Sequence, residues 1–347
     1  MKTLLNISIP TFNRPEFLFK CLKSIEKSIN NLDEEDRELV SVFISDNSEN
    51  YKSRKVSESA VFKSLNMIYS SNTSNIGSDK NIAKCYLYPD AEYVMILGDD
   101  DFISKNFLAT ILPVLKNNLF PIIFLKAYGL TKHENHSRND NLKSFYEFKN
   151  IKDVLFNRNI HLAFISSMIF RRRNYNDSIV NDGVGTNLVQ LNLVFSLLQR
   201  GEGSSLFLDA NFVMVTRNNT GGYDPVDIFC NKFFYILDKY NNLGLNNHDL
   251  FRLKKKILHT FYNRSLAQYM RTTNNVLSPL SLVTLDSYFK NLFIYRLFYR
   301  PLFNWNSKFS FYILSMSYVL GNIYFYPTSR TGDFYYHFKN SIRNQIC

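Results

Sequence analysis

The sequence has little cysteine. Its four cysteines, Cys21, Cys85, Cys230 and Cys347, stand far apart and form no C-x-x-C pair, so they read as reduced core or surface thiols of a cytosolic protein. No secretory leader is expected: M-K-T-L-L-N-I-S-I-P-T turns polar too soon, and its alternation fits a first strand instead. There is no internal repeat, no histidine spacing suited to a metal, and no recognition-helix, RNP-type or zinc-finger pattern, so no nucleic acid is expected as a partner. Long uncharged runs are scarce. Residues 309–326 approach membrane-spanning length but include three Ser, one Asn, one Gly and four Tyr, and are expected to be buried or interfacial.

Negative charge is scarce in one region only. Residues 1–150 hold 19 Lys+Arg against 19 Asp+Glu, and residues 151–229 hold 7 against 7; residues 230–347 hold 15 against 4. The whole net charge of +11 therefore lies in the last third, interleaved with Phe, Tyr and Leu. Such a surface suits an anionic membrane face or a polyanion. The alternative is a helical region whose basic face packs on the rest of the protein or makes an oligomer. At 45% hydrophobic and 20% charged, the chain as a whole has an ordinary globular composition.

The first half alternates strand and helix. Residues 5–9 read as a strand and P-T-F-N-R as a turn. Pro15 then opens a helix with apolar residues at Leu18, Cys21, Leu22, Ile25 and Ile29. Strands are predicted at 39–45, 65–69, 93–97, 121–127, 161–170 and 205–216, with helices at about 79–87, 105–116 and 185–199. Pro113 is expected to kink or shorten the second of these helices. The polar stretch 131–142 reads as a surface loop. Alternation of this kind argues for an α/β fold with a mainly parallel sheet and ligands at the strands' carboxyl ends. From about residue 224 the pattern becomes helical, which divides the chain into 1–223 and 224–347.

The chemistry concentrates in M-I-L-G-D-D-D-F. An apolar strand runs into one glycine and then into Asp99, Asp100 and Asp101. Three like charges side by side repel unless something positive offsets them. Hard divalent cations, Mg²⁺ or Mn²⁺, prefer carboxylate oxygen and share their shell with phosphates, so a metal-nucleotide site is expected here. A solvated turn is the plain alternative.

Taken in order, the turn P-T-F-N-R, the strand end S-D-N-S, the loop N-I-G-S-D-K-N and the strand end G-D-D-D resemble the family-2 glycosyltransferases of GT-A fold over the first 110 residues. The resemblance implies a base pocket lined by Pro10, Thr11 and Phe12, with Asp46 accepting a hydrogen bond from the base. It puts Asn75, Gly77 and Asn81 near ribose and base, Asp99 by the ribose or metal, Asp100 as metal ligand and Asp101 beside it. The family's acidic motif is usually D-x-D, and here Gly98 takes its first position. An inverting transferase also needs a carboxylate base, which many members draw from an E-D pair. This chain has no E-D there, which leaves Asp182, before the helix from Gly185, as first candidate and Asp177 as second.

Arg171 to Arg173 and the loop of Arg217 and residues 218–222 are further phosphate-binding candidates; a solvated edge and an ordinary turn are the plain alternatives. In length, acidic motif and aromatic helical tail, the chain is similar to bacterial O-antigen transferases of the dideoxyhexosyl (abequosyl) type. The resemblance implies a CDP-sugar donor, a polyprenyl-diphosphate-linked oligosaccharide acceptor and peripheral attachment to the cytoplasmic face of the inner membrane. A capsule or teichoic-type UDP-sugar transferase and a non-catalytic sugar-nucleotide-binding scaffold are the rival expectations.

Overall fold

The computed structural model describes residues 3–50, 52–117, 119–129, 140–201, 204–216, 224–240, 243–262 and 278–303, with single positions at 313, 316 and 320. Arg217 and its glycine loop, most of 131–142 and most of 309–326 lie outside these. The chain forms two compact units. One comprises Met1–Gly221 with Ile236–Leu243, the other Gly222–Tyr235 with Gly244–Cys347.

The first unit is built on one sheet. Strands β1 (Thr3–Thr11), β2 (Val40–Asp46), β3 (Met67–Ser71) and β4 (Ala91–Ile96) are parallel and lie in the order β3-β2-β1-β4. Beyond β4 the sheet becomes mixed. Strand β8 (Met168–Arg171) runs antiparallel to both β4 and β6 (Ile122–Gly129), and β6 is parallel to β9 (Ser205–Val215). Two short strands, β5 (Asp101–Ile103) and β7 (Ser144–Phe148), pair antiparallel with β9.

Helix α1 (Pro15–Ile29) starts at the proline, whose fixed φ suits a first turn, and buries the periodic Leu18, Cys21, Leu22, Ile25 and Ile29. These pack with Leu5, Ile7, Ile9, Val42, Ile44 and Met95 in one core. Two short helices, α2 (Glu34–Glu38) and α3 (Lys52–Ser57), flank β2 in the chain, α4 (Ser78–Leu87) follows β3, and α6 (Ile151–Arg158) follows β7. With α5 (Phe107–Asn117), α1 covers one face of the sheet; Pro113 stays inside α5 and does not end it.

Two predicted elements come out differently. The stretch 161–170 is not one strand: two 3-10 turns, Asn159–Ala163 and Ile165–Ser167, precede β8. Asn159 is left-handed at φ 39, and the Ala163 carbonyl accepts from Gln190 rather than from a strand. A buried apolar run has no period that separates strand from buried coil. Helix α8 (Val189–Arg200) also starts later than Gly185, because Gly185 and Asn187 take φ of 93 and 58 in the loop before it.

In the second unit, helix Asn247–Ile257 begins with a reciprocal cap between Asn246 and Asp249. Its Lys254 lies over the rings of Phe234 and Tyr288, and Lys256 is buried. Arg300 pairs with Asp286. Leu280, Val283, Phe293 and Leu297 are exposed. Among the described residues no helix is long and apolar enough to cross a membrane.

Gly183, in the loop between α7 (Asp177–Asn181) and α8, packs tightly against the start of α8. A Cβ there would meet Val189 Cα at 2.9 Å and the Val189 carbonyl oxygen at 3.2 Å, backbone atoms that cannot turn away. Gly183→Ala should therefore lower the melting temperature by about 3–8 °C. An unchanged melting temperature in calorimetry would contradict this packing.

Candidate active site

Strand register builds the site. In the parallel ladder Thr11 lies opposite Asp46, and Ser8 lies opposite Ile96. The carboxyl ends of β1, β2 and β4 therefore finish together. The order 3-2-1-4 places β1 and β4 side by side where the connections turn in opposite directions, the usual crevice of an open α/β sheet.

The positive charge that the three aspartates require is Arg14. Its Nη2 meets Asp99 Oδ1 at 2.5 Å and its Nε donates to Asp99 Oδ2 at 3.2 Å, while Nη1 reaches Asp100 Oδ2 at 3.3 Å. Thr11 Oγ1 also donates to Asp99 Oδ2, at 2.7 Å. Asp99 is completely buried, and burial pushes its carboxyl up to about 6 although Arg14 and Thr11 pull the other way. Asp101 is buried too, and burial pushes its carboxyl up to about 7 against the opposing hydrogen bond that Ser166 Oγ donates at 2.6 Å.

The turn is stapled from both sides. Asp101 N–H closes onto the Gly98 carbonyl at 3.0 Å, Gly98 N–H donates to Ser166 Oγ at 2.9 Å, and Thr216 Oγ1 donates to the Asp100 carbonyl at 2.5 Å.

A side chain at Gly98 would begin 3.0 Å from Asp101 Oδ2, 3.2 Å from Asp100 Oδ1 and 3.5 Å from Ser166 Oγ. Three oxygens thus converge beside this glycine, a hard donor set that suits Mg²⁺ or Mn²⁺. Among the described residues no three His, Cys, Asp or Glu side chains form a closed metal cage. The donor set fits a cation whose shell is completed by substrate oxygens and water.

On the other side of β1, Asp46 is buried. Its Oδ1 accepts from Ser48 N–H at 2.8 Å and Ser48 Oγ at 2.5 Å, and its Oδ2 from the Tyr69 hydroxyl at 2.6 Å. Asn81, on α4 (Ser78–Leu87), ties this end together: it accepts from Ser45 Oγ and Asn72 Nδ2 and donates to the Ser45 carbonyl. Gly77 caps α4 at φ 86, a left-handed value that glycine adopts without strain, and its N–H donates to the Asn75 side chain. Pro10 is half-buried, and Phe12 is exposed at the tip of β1.

The two base candidates lie on α7 and at its carboxyl end. Asp182 is exposed and caps the carboxyl end of α7; Asp177 lies in the first turn of α7, exposed, 3.9 Å from Arg172. The loop after Asp182 is held by Asp79, whose Oδ2 accepts from Gly185 N–H at 2.7 Å and Asn187 N–H at 2.8 Å. Arg171 is not on a solvated edge. It is buried, its guanidinium bonded to Glu92 at 2.6 Å through Nε and Nη2, and it lies over Tyr93, its partner across the ladder.

Sequence reasoning assigned no role to Arg14, Asp79, Ser166 or Thr216. Arg14 carried a signal, as the one cation in P-T-F-N-R. Ser166 and Thr216 carried none.

Unfolded aspartates ionise near pH 3.9, whereas Asp99 and Asp101 hold their protons to about 6 and 7. Between these values the folded state binds more protons, so the stability these two contribute is full below about pH 4 and is lost as pH rises through 7. In chelator-containing buffer, Asp101→Asn should gain stability relative to the wild type, on the order of 4 kcal/mol, as pH rises across that window. Parallel melting curves would refute the assignment.

Residues 7–178 match the family model "Glycosyl transferase family 2". Abequosyltransferase RfbV of Salmonella typhimurium is 31% identical over 110 residues, a stretch that spans 30% of this chain and only 31% of that relative. Among solved structures, S. aureus TarS 1–349 in complex with UDP-GlcNAc superposes with a TM-score of 0.56 at 16% identity, over 93% of this chain and 91% of that one. The mannosyltransferase PcManGT from Pyrobaculum calidifontis, in complex with GDP-Man and Mn²⁺, does so with a TM-score of 0.50 at 12% identity, over 95% and 89%. The fold is thus the GT-A type predicted from the motifs, and residues 7–178 form a family-2 glycosyltransferase domain.

Proposed function

We propose that the protein transfers a sugar from a nucleotide donor to an acceptor hydroxyl with inversion, and that its turn Gly98–Asp101 is the donor-diphosphate end of the site. The observation that carries this reading is the meeting of the β1 turn and the acidic turn through Thr11, Arg14 and Asp99. The exposed ring of Phe12 offers a stacking face to a base, and Asp46 lies at the adjoining strand end. Gly77 leaves open space beside the Asn75 loop, where a ribose has room to approach the backbone.

Asp100 and Asp101 would hold the divalent cation. Such a cation supplies charge neutralisation for the departing nucleoside diphosphate. Asp182 is the base in this reading: its carboxylate takes the acceptor hydroxyl's proton while the acceptor oxygen attacks the anomeric carbon on the face opposite the leaving group. The resemblance to the abequosyltransferase favours a CDP-dideoxyhexose donor and a polyprenyl-diphosphate-linked oligosaccharide acceptor in O-antigen synthesis. A UDP-sugar is the second reading, favoured by the likeness to TarS, which was solved with UDP-GlcNAc.

Docking on an anionic inner-membrane face is assigned to the second unit, where exposed Leu280, Val283, Phe293 and Leu297 lie in the same chain segment as the exposed Lys290 and Arg296.

Thermal stabilisation by CDP-, UDP-, GDP- and dTDP-nucleotides, with and without Mn²⁺, tests the donor site. One nucleotide should raise the melting temperature in a metal-dependent way and Asp100→Asn should abolish that rise; no shift with any nucleotide would favour a non-catalytic scaffold. Asp182→Asn should lower kcat by about 10²–10⁴-fold at unchanged donor affinity, and wild-type turnover in that variant would remove it as the base. Flotation with phosphatidylglycerol vesicles should recover the protein at low salt and lose it at high salt. Failure to float at low salt would reject the membrane reading.

A further inference from the structure

Arg14 meets the acidic turn through three nitrogens that are unequally engaged. Two of them, Nη2 and Nε, fork onto Asp99 at 2.5 and 3.2 Å. This part is buried: Asp99 is excluded from water, and Thr11 completes its second oxygen. The third nitrogen, Nη1, lies 3.3 Å from Asp100 Oδ2, longer than an ordinary charge-assisted bond, where both side chains keep some exposure, 31% for Arg14 and 20% for Asp100.

The backbone under Arg14 is fixed. Pro15 begins α1 immediately after it, and Asn13 before it is left-handed at φ 54, with its N–H bonded to Ser48 Oγ at 2.7 Å. The fork on Asp99 is therefore the permanent contact, and the arm to Asp100 is the exchangeable one.

We propose that Arg14, anchored by Asp99, is an internal counter-ion for Asp100 that an incoming divalent cation displaces, so that the protein sets its own cation affinity before donor binds. The inference rests on the reading of Asp100 as a cation ligand. Its physical content is an exchange of charges: the guanidinium neutralises Asp100 in the free protein, and a dication arriving at Oδ1 or Oδ2 meets both a partly neutralised carboxylate and a nearby positive charge. Asp99 then acts through Arg14, as a positioning residue.

The test is Mn²⁺ binding to the whole protein, followed by the electron paramagnetic resonance of free Mn²⁺, first alone and then with CDP or UDP. Arg14→Lys keeps a cation on Asp99, so the buried charge stays paired and the fold is preserved, but one ammonium cannot fork to both carboxylates. It should bind Mn²⁺ about five- to tenfold more tightly than the wild type, the size of one part-exposed charge contact, and Arg14→Gln should bind at least as tightly where it folds. Adding Asp100→Asn should remove the gain. Equal or weaker Mn²⁺ binding by Arg14→Lys, with a wild type that does bind, overturns the role of Arg14 alone. No binding by either protein, even with nucleotide, overturns the cation reading and this inference together.

Discussion

The arrangement of the first unit depends on one buried charge pair, Arg14 with Asp99. A carboxylate taken out of water costs several kcal/mol unless a cation and further donors replace its hydration. Asp99 is wholly buried and receives a bidentate guanidinium together with the Thr11 hydroxyl. These partners do not fully offset burial, and the carboxyl of Asp99, held up to about 6, records the remainder. The pair also has a geometric consequence. Arg14 belongs to the turn after β1 and Asp99 to the turn after β4, so the bond can form only if both strands end at the same level, as their register makes them do.

The polar groups around the crevice form a connected set. Asp46 holds Ser48 and Tyr69, Asn81 holds Ser45 and Asn72, and Asp79 reaches across to the loop at Gly185 and Asn187. The bonds of Asp46 to Tyr69, of Asn81 to Ser45 and of Asp79 to the Gly185 loop join segments distant in the chain, and buried polar groups satisfied this way specify one arrangement of loops. The Asp46 end of the crevice and the loop after Asp182 are thereby both tied to α4, since Asp79 and Asn81 both project from it. A ligand that orders the Asn75–Gly77 loop acts on the same helix that fixes the loop after Asp182.

The parallel half of the sheet was legible in the sequence because its strands are short apolar runs ended by polar clusters, and because α1 repeats with a helical period around Leu18, Leu22 and Ile25. The acidic turn announced its need for a cation through charge alone. What was not legible has a common physical cause: it depends on contacts between distant segments. The apolar period of 161–170 is satisfied equally by coil packed under α8, and three-residue β5 exists only because β9 lies beside it. Ser166 and Thr216 are ordinary polar residues until the fold brings them 65 and 116 positions back to the acidic turn. The three arginines after β8 illustrate the opposite error. Their run suggested a solvated edge, but pairing of Arg171 with Tyr93 across the ladder turns that side chain inward to Glu92.

The glycine at the start of G-D-D-D is explained by the same turn. Because Asp101 N–H closes onto the Gly98 carbonyl, residue 101 folds back over residue 98, and its Oδ2 comes within 3.0 Å of the place where a Gly98 side chain would begin. An aspartate at 98 would have to share that space with Asp101 and Asp100, adding a fourth negative charge to a turn served by Arg14. The acid absent from the first position of the motif is thus replaced in space by the acid at its fourth position, and Ser166, bonded to both Gly98 and Asp101, holds the exchange in place. On this geometry the departure from D-x-D leaves a carboxylate, that of Asp101, beside the place where the first acid of the motif would stand.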